Sequence, residues 1–174
     1  MTIGYNKKMK TGKLRKLHNY LIKSEDYVAT AESCTGGLLS AALTSLPGSS
    51  GYFKLGLVAY SNSAKSKLLG IPAGKIKKEG AVSVYTAQMM AKAARRLASS
   101  RISAAITGIA GPSGGRPGKP VGTVFIAVSS GRRTLCRGFL FRGTRRSVRE
   151  QAVEKAVDML LEALLPRLSG CARS

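Results

Sequence analysis

Ser33 and Cys34 stand side by side in the stretch Thr30-Ala31-Glu32-Ser33-Cys34-Thr35-Gly36-Gly37. A hydroxyl and a thiol are two of the side chains able to attack a carbonyl carbon when a base or a shifted pKa activates them. Tyr27-Val28-Ala29 before the stretch reads as a buried strand, and Leu38-Leu39-Ser40-Ala41-Ala42-Leu43 after it reads as a helix. The residues between them therefore form a strand-to-helix turn, which points free backbone N–H groups at whatever sits there. That geometry suits either a bound anion or a nucleophile with its oxyanion donors. On chemistry alone Cys34 is the preferred nucleophile, because a thiol is inherently the better one.

The partners of such a nucleophile are constrained by scarcity. The single histidine, His18, lies in a basic helical stretch and is assigned a surface role. A lysine is then the better candidate base for Ser33. Eight carboxylates are present, four of them on one C-terminal helix, and no pair has the spacing of a metal site. A second strand-to-helix turn, Tyr60-Ser61-Asn62-Ser63-Ala64-Lys65, supplies Tyr60 and Lys65. A third, Thr107-Gly108-Ile109-Ala110-Gly111-Pro112, follows another buried strand, and Gly143–Arg149 brings Arg145 and Arg149 to a helix start. In a parallel sheet such turns share one edge, where ligands bind. Ser33 would attack, Lys65 would take the proton if its pKa is lowered, and amides near Cys34 to Gly37 would hold the oxyanion. Arg145 and Arg149 would bind an anionic part of the substrate, most naturally phosphate. Spacing equally allows Ser33 and Thr35 to be helix caps and Lys65 a solvated helix residue, so both readings stay open at this point.

Length and composition set the frame. At 174 residues with 44% hydrophobic content, one globular domain is expected. No apolar run is long enough to cross a bilayer. The basic N-terminus lacks a following apolar segment, so a cytoplasmic location is expected. Cys34, Cys136 and Cys171 are odd in number and widely spaced, against a disulfide framework or a zinc site. The net charge of +21 would attract nucleic acid, acidic membrane or a small anion. Aromatics make up only 6%, tryptophan is absent and no nucleic-acid-binding motif is recognisable, so nucleic acid is not the favoured partner.

Residues 1–10 read as a basic lead-in, 11–166 as the domain and 167–174 as a tail. Leu14, Leu17, Leu21 and Ile22 predict a helix from Thr11 to about Lys23. Strands are expected at Tyr27–Ala31, Tyr52–Tyr60 and Ile102–Thr107, with helices at Leu38–Ser45 and from Ser61 or Asn62 to Leu69, ended by Gly70. Residues 71–79 read as a basic connection. Ser83 caps a helix whose apolar face is Ala87, Met90, Ala91, Ala94 and Leu97. Val121–Ser129 and Leu135–Phe141 read as a hairpin. In the last helix Val148, Ala152, Ala156, Met159 and Ala163 should face the core, with Leu160 and Leu164 widening that face. The sum is a layered α/β/α single domain with a mixed, mainly parallel sheet.

Thr30–Gly37, Val58–Lys65, Gly80-Ala81-Val82-Ser83, Thr107–Pro112 and Lys119-Pro120-Val121-Gly122-Thr123-Val124 together resemble the CinA C-terminal domain family, collinearly over about Leu14 to Leu164. The resemblance implies a nicotinamide-nucleotide amidohydrolase of the stand-alone form. It would convert nicotinamide mononucleotide to nicotinic acid mononucleotide and ammonia, without metal or cofactor. It puts the nucleophile on Ser33 rather than Cys34, and the family's lysine and tyrosine on Lys65 and Tyr60. Glu32, Cys34, Thr35, Gly36, Gly37, Thr107, Gly108, Ala110, Arg145 and Arg149 are then the candidate substrate-binding residues. Thr144 stands where many relatives carry Asp, so any role of that carboxylate is lost. The resemblance also implies a homo-oligomer, a dimer. The competing readings are a non-catalytic nucleotide-binding or competence- and DNA-damage-associated module, and an amidase on another carboxamide.

Overall fold

The computed structural model describes residues 11–131 and 133–165. The expected lead-in 1–10, residue 166 and the tail 167–174 lie outside them. The elements run α1 (Thr11–Ser24), β1 (Val28–Glu32), α2 (Leu38–Leu43), β2 (Phe53–Val58), α3 (Asn62–Leu69), α4 (Ala73–Glu79), α5 (Val84–Leu97), β3 (Ile102–Gly108), β4 (Thr123–Ser130), β5 (Arg133–Leu140) and α6 (Arg145–Leu164). A 3-10 turn at Ser49–Gly51 precedes β2.

One five-stranded sheet has the order β2-β1-β3-β4-β5. β2, β1 and β3 are parallel, while β4 and β5 close it as an antiparallel hairpin. Every residue of β1 is buried, as is β3 from Ile102 to Thr107, which suits strands covered on both faces. Side chains alternate between the two layers. Val28, Ala104 and Ile106 face a core made with α1, α2 and α6. Ala29, Ala31, Ala105 and Ala127 face a second core made with α3, α4 and α5. The second face is floored by alanines, so α5 lies close on the sheet through Ala87, Ala91 and Ala94. At that contact Ser103 donates its hydroxyl to the Ala91 carbonyl at 2.7 Å.

Four expectations are corrected. Residues 71–79 are not a plain connection: α4 forms there, anchored by the single buried Ile76, too little apolar residue to register as a periodic face. Leu97 is 50% exposed, since α5 ends as it leaves the sheet. Ala163 is exposed beside the buried Leu160 and Leu164, which carry the last turn of α6 instead. His18 is half-buried rather than on the surface, with Nδ1 3.2 Å from the Tyr52 hydroxyl.

Candidate functional site

The parallel register aligns Glu32 of β1 with Val58 of β2 and Ile106 of β3. The residues that follow these strands therefore meet at one edge of the sheet. The Ser33 amide donates to the Ile106 carbonyl at 2.9 Å, carrying the ladder one residue past β1 and fixing where the chain turns. The turn then closes with the Gly36 amide donating to the Ser33 carbonyl at 3.0 Å. Gly36 and Gly37 have φ of +57° and +93°, values a side chain rarely tolerates.

Glu32 sets up the turn from beneath. Its side chain is fully buried. One carboxylate oxygen accepts from the amides of Gly37 at 3.1 Å and Leu39 at 3.0 Å. The other accepts from the Ser40 amide at 2.8 Å and the Ser40 hydroxyl at 2.6 Å. The amides at the start of α2 are thus already spent on the chain's own carboxylate. Glu32 supports the turn, with both carboxylate oxygens engaged by the chain's own donors. The amides left over are those of Cys34 and Thr35, which among the described residues have no backbone acceptor.

Lys65 arrives from the adjacent turn. Ser61 caps α3 by accepting from the Ala64 amide at 3.0 Å, and Gly70 ends it at φ +66°. This short helix drives Lys65 inward until it is only 2% exposed. Its Nζ lies 3.0 Å from Ser33 Oγ and 3.4 Å from the Tyr60 carbonyl. Among the described residues no carboxylate pairs with it. Burial pushes the Lys65 ammonium below the usual lysine range, opposed in part by a Cys34 thiolate. That thiolate is itself disfavoured: burial pushes the Cys34 thiol up to about 11, outweighing its own backbone amide and the Arg149 charge. At neutral pH Cys34 is a protonated thiol, so inherent thiol reactivity does not decide the nucleophile here.

The remaining candidates separate into two groups. Arg145 is exposed at the first turn of α6 and bridges two loops, donating to the Gly111 carbonyl at 2.9 Å and to the Tyr60 hydroxyl at 2.7 Å. Tyr60 is 56% exposed, and it touches Lys65 through its carbonyl rather than its ring. Arg149, one turn on, donates to the Thr35 carbonyl at 2.6 Å. Thr144 caps α6 by accepting from the Ser147 amide, a task that an Asp would also serve.

By contrast, the Thr107 hydroxyl is buried and spent on the Ala81 carbonyl at 2.7 Å. Ala110 packs into the core. At Gly108 a Cβ would come 2.8 Å from the Thr123 carbonyl oxygen, so its small size serves the β3–β4 pairing. The contacts these three make are with the protein itself, and they shape the edge. Ser40, which joins Glu32 to the Thr30 hydroxyl at 2.7 Å, is a supporting residue the sequence reading missed. Its signal is a hydroxyl on the face of α2 that packs against β1.

Fold and site together define a layered α/β protein with a buried serine–lysine pair at the carboxyl edge of its parallel strands. The profile of the CinA C-terminal domain family matches residues 11–164, and the chain belongs to that family. It is 50% identical over 138 residues to a CinA-like protein of Geobacter metallireducens, covering 79% of this chain and 33% of the relative. A CinA-like protein of Syntrophus aciditrophicus is 51% identical over 134 residues, with 76% and 32% covered. The chain thus spans about a third of the length of the curated relatives it matches. Among solved structures, the competence or damage-inducible protein from Enterobacter asburiae superposes with a TM-score of 0.84 at 38% identity, covering 88% of this chain and 96% of that one. A CinA superfamily protein from Enterobacter cloacae gives 0.85 at 35% identity, covering 95% and 98%.

Proposed function

We propose that this chain is an amidohydrolase that cleaves the carboxamide of nicotinamide mononucleotide, with Ser33 as nucleophile and Lys65 as base. The observation that carries the reading is the buried Lys65 Nζ, 3.0 Å from Ser33 Oγ, with no carboxylate partner among the described residues. A lysine so placed is held toward its neutral form, the form able to accept a proton. Ser33 Oγ attacks the carboxamide carbon as its proton passes to the Lys65 amine. The carbonyl oxygen becomes an oxyanion, received by the amides of Cys34 and Thr35, which have no backbone acceptor among the described residues. Collapse breaks the C–N bond, and Lys65 returns its proton to the departing nitrogen, which leaves as ammonia. Water, deprotonated by Lys65, then attacks the acyl-Ser33 ester; the C–O bond to Ser33 breaks, Lys65 returns that proton to Ser33 Oγ, and the product acid leaves. The nucleotide substrate is supported by the family resemblance and by Arg145 at the exposed rim. The test is ammonia release from nicotinamide mononucleotide by the purified protein. Wild type should produce equal amounts of ammonia and nicotinic acid mononucleotide, and Ser33→Ala and Lys65→Ala should each abolish both while folding normally. Near-normal turnover by Ser33→Ala would sink the serine mechanism, and loss in Cys34→Ala instead would move the role to the thiol.

A further inference from the structure

Two arginines enter the site from the first turns of α6, and their environments differ. We infer that Arg149 is a positioning residue that locks the Ser33 turn and thereby aims the Cys34 and Thr35 amides, and that it is not a contact to the substrate's phosphate. This rests on the amidase reading above.

The turn is built from two overlapping closures. The Gly36 amide donates to the Ser33 carbonyl at 3.0 Å, and the Leu38 amide donates to the Thr35 carbonyl at 3.3 Å. The Thr35–Gly36 peptide belongs to both. Its N–H is held by Ser33 and its carbonyl receives Arg149 Nη2 at 2.6 Å, a charge-assisted hydrogen bond across 114 residues of sequence. That peptide plane is therefore pinned at both ends. The two amides without a backbone acceptor among the described residues, those of Cys34 and Thr35, are the central ones of the first closure, so their direction follows from the closure being held. An oxyanion hole depends on donors that do not have to reorganise during reaction.

Arg149 is half-buried, and its contact with the turn is made from its inner side. Its Nε and the Thr35 Oγ1 are the two buried side-chain polar atoms among the described residues that have no partner. Leaving such atoms unpaired is costly, roughly 1–3 kcal/mol each in general. The Nε edge of the guanidinium is thus buried without a partner, and the hydrogen bond gained beside it is that of Nη2 to the Thr35 carbonyl. The fit is close: at Gly36 a Cβ would stand 3.4 Å from Nη2, and glycine leaves the guanidinium room against the turn. Arg145 is exposed and lies on the rim, where a phosphate could approach it.

Steady-state kinetics on nicotinamide mononucleotide and on its dephosphorylated nucleoside, nicotinamide riboside, separate the two roles. For Arg149→Ala we expect kcat to fall roughly hundredfold on either substrate, the scale of losing one oxyanion donor. KM should change little and the ratio of kcat/KM between the substrates should stay at its wild-type value. Added methylguanidine should restore part of kcat. A phosphate contact would instead raise KM for the nucleotide alone and collapse that ratio, and this outcome overturns the inference. If wild type does not turn over the riboside, the split between kcat and KM on the nucleotide decides. A readout without catalysis covers the case in which wild type releases no ammonia and the amidase reading itself fails. The amide resonances of Cys34 and Thr35 should shift and broaden in Arg149→Ala, with the melting temperature showing that the chain still folds. Unmoved resonances would overturn the positioning role on their own.

Discussion

Lys65 reaches Ser33 from a different strand-to-helix turn, and its usefulness depends on being uncharged when it does so. Ammonium burial without a counter-ion disfavours the charged form and lowers the pKa. The sign of the pH dependence follows. The protonated lysine cannot accept the Ser33 proton, so kcat/KM should rise with pH along a one-proton limb. The midpoint of that limb should lie below the ordinary lysine value of 10.5. A pH–rate profile checks this, and a limb centred at or above that value would show that Lys65 is not the base. Spacing placed a serine, a thiol and a lysine at neighbouring turns, and the resemblance chose between the serine and the thiol. Physical grounds for that choice come from burial, which keeps Cys34 protonated, and burial at a single position is a property of the packed molecule.

The turn after β1 looks, as sequence, like an anion cradle at the start of α2. In the folded element that cradle is already occupied. Glu32 accepts four hydrogen bonds from Gly37, Leu39 and Ser40, and serves as an internal anion for a helix of only six residues. Helix N-termini favour such negative charge. Glu32→Gln would set an NH2 group against donors that need an acceptor. We expect a loss of about 1–3 kcal/mol for each donor left unpaired. Denaturant melts would show it as a lower midpoint, and ammonia release should fall with it. An unchanged midpoint would mean that Glu32 does not hold the turn. The caps at Ser61, Ser83 and Thr144 form on hydroxyls at helix starts, and the Ser61 and Ser83 positions are legible because the signal is local. α4 was missed because its one buried residue, Ile76, acquires meaning only against α3 and α5.

At the scale of the molecule the charge is the dominant feature. With +21 overall, duplex DNA of any sequence should retain the chain at about 50 mM salt and release it by about 200 mM, as counterion release requires. Ser33→Ala should behave identically in the same filter-binding assay. Retention that survives high salt would favour a built nucleic-acid surface and the competence-associated reading over the enzyme. The layered α/β order, the hairpin and the three polar turns could be read directly, because periodicity, capping and breaker residues act over a few positions. The pairing of Ser33 with Lys65, the occupation of the α2 amides by Glu32 and the division of labour between Arg145 and Arg149 could not. They depend on the parallel register that aligns Glu32 with Val58 and Ile106, and on α6 returning from the far end of the chain to reach Thr35. The sequence by itself determined which side chains were available and on which turns they sat. Tertiary structure decided which were buried, which were already spent and which met, because burial and hydrogen-bond partnership arise between segments distant along the chain.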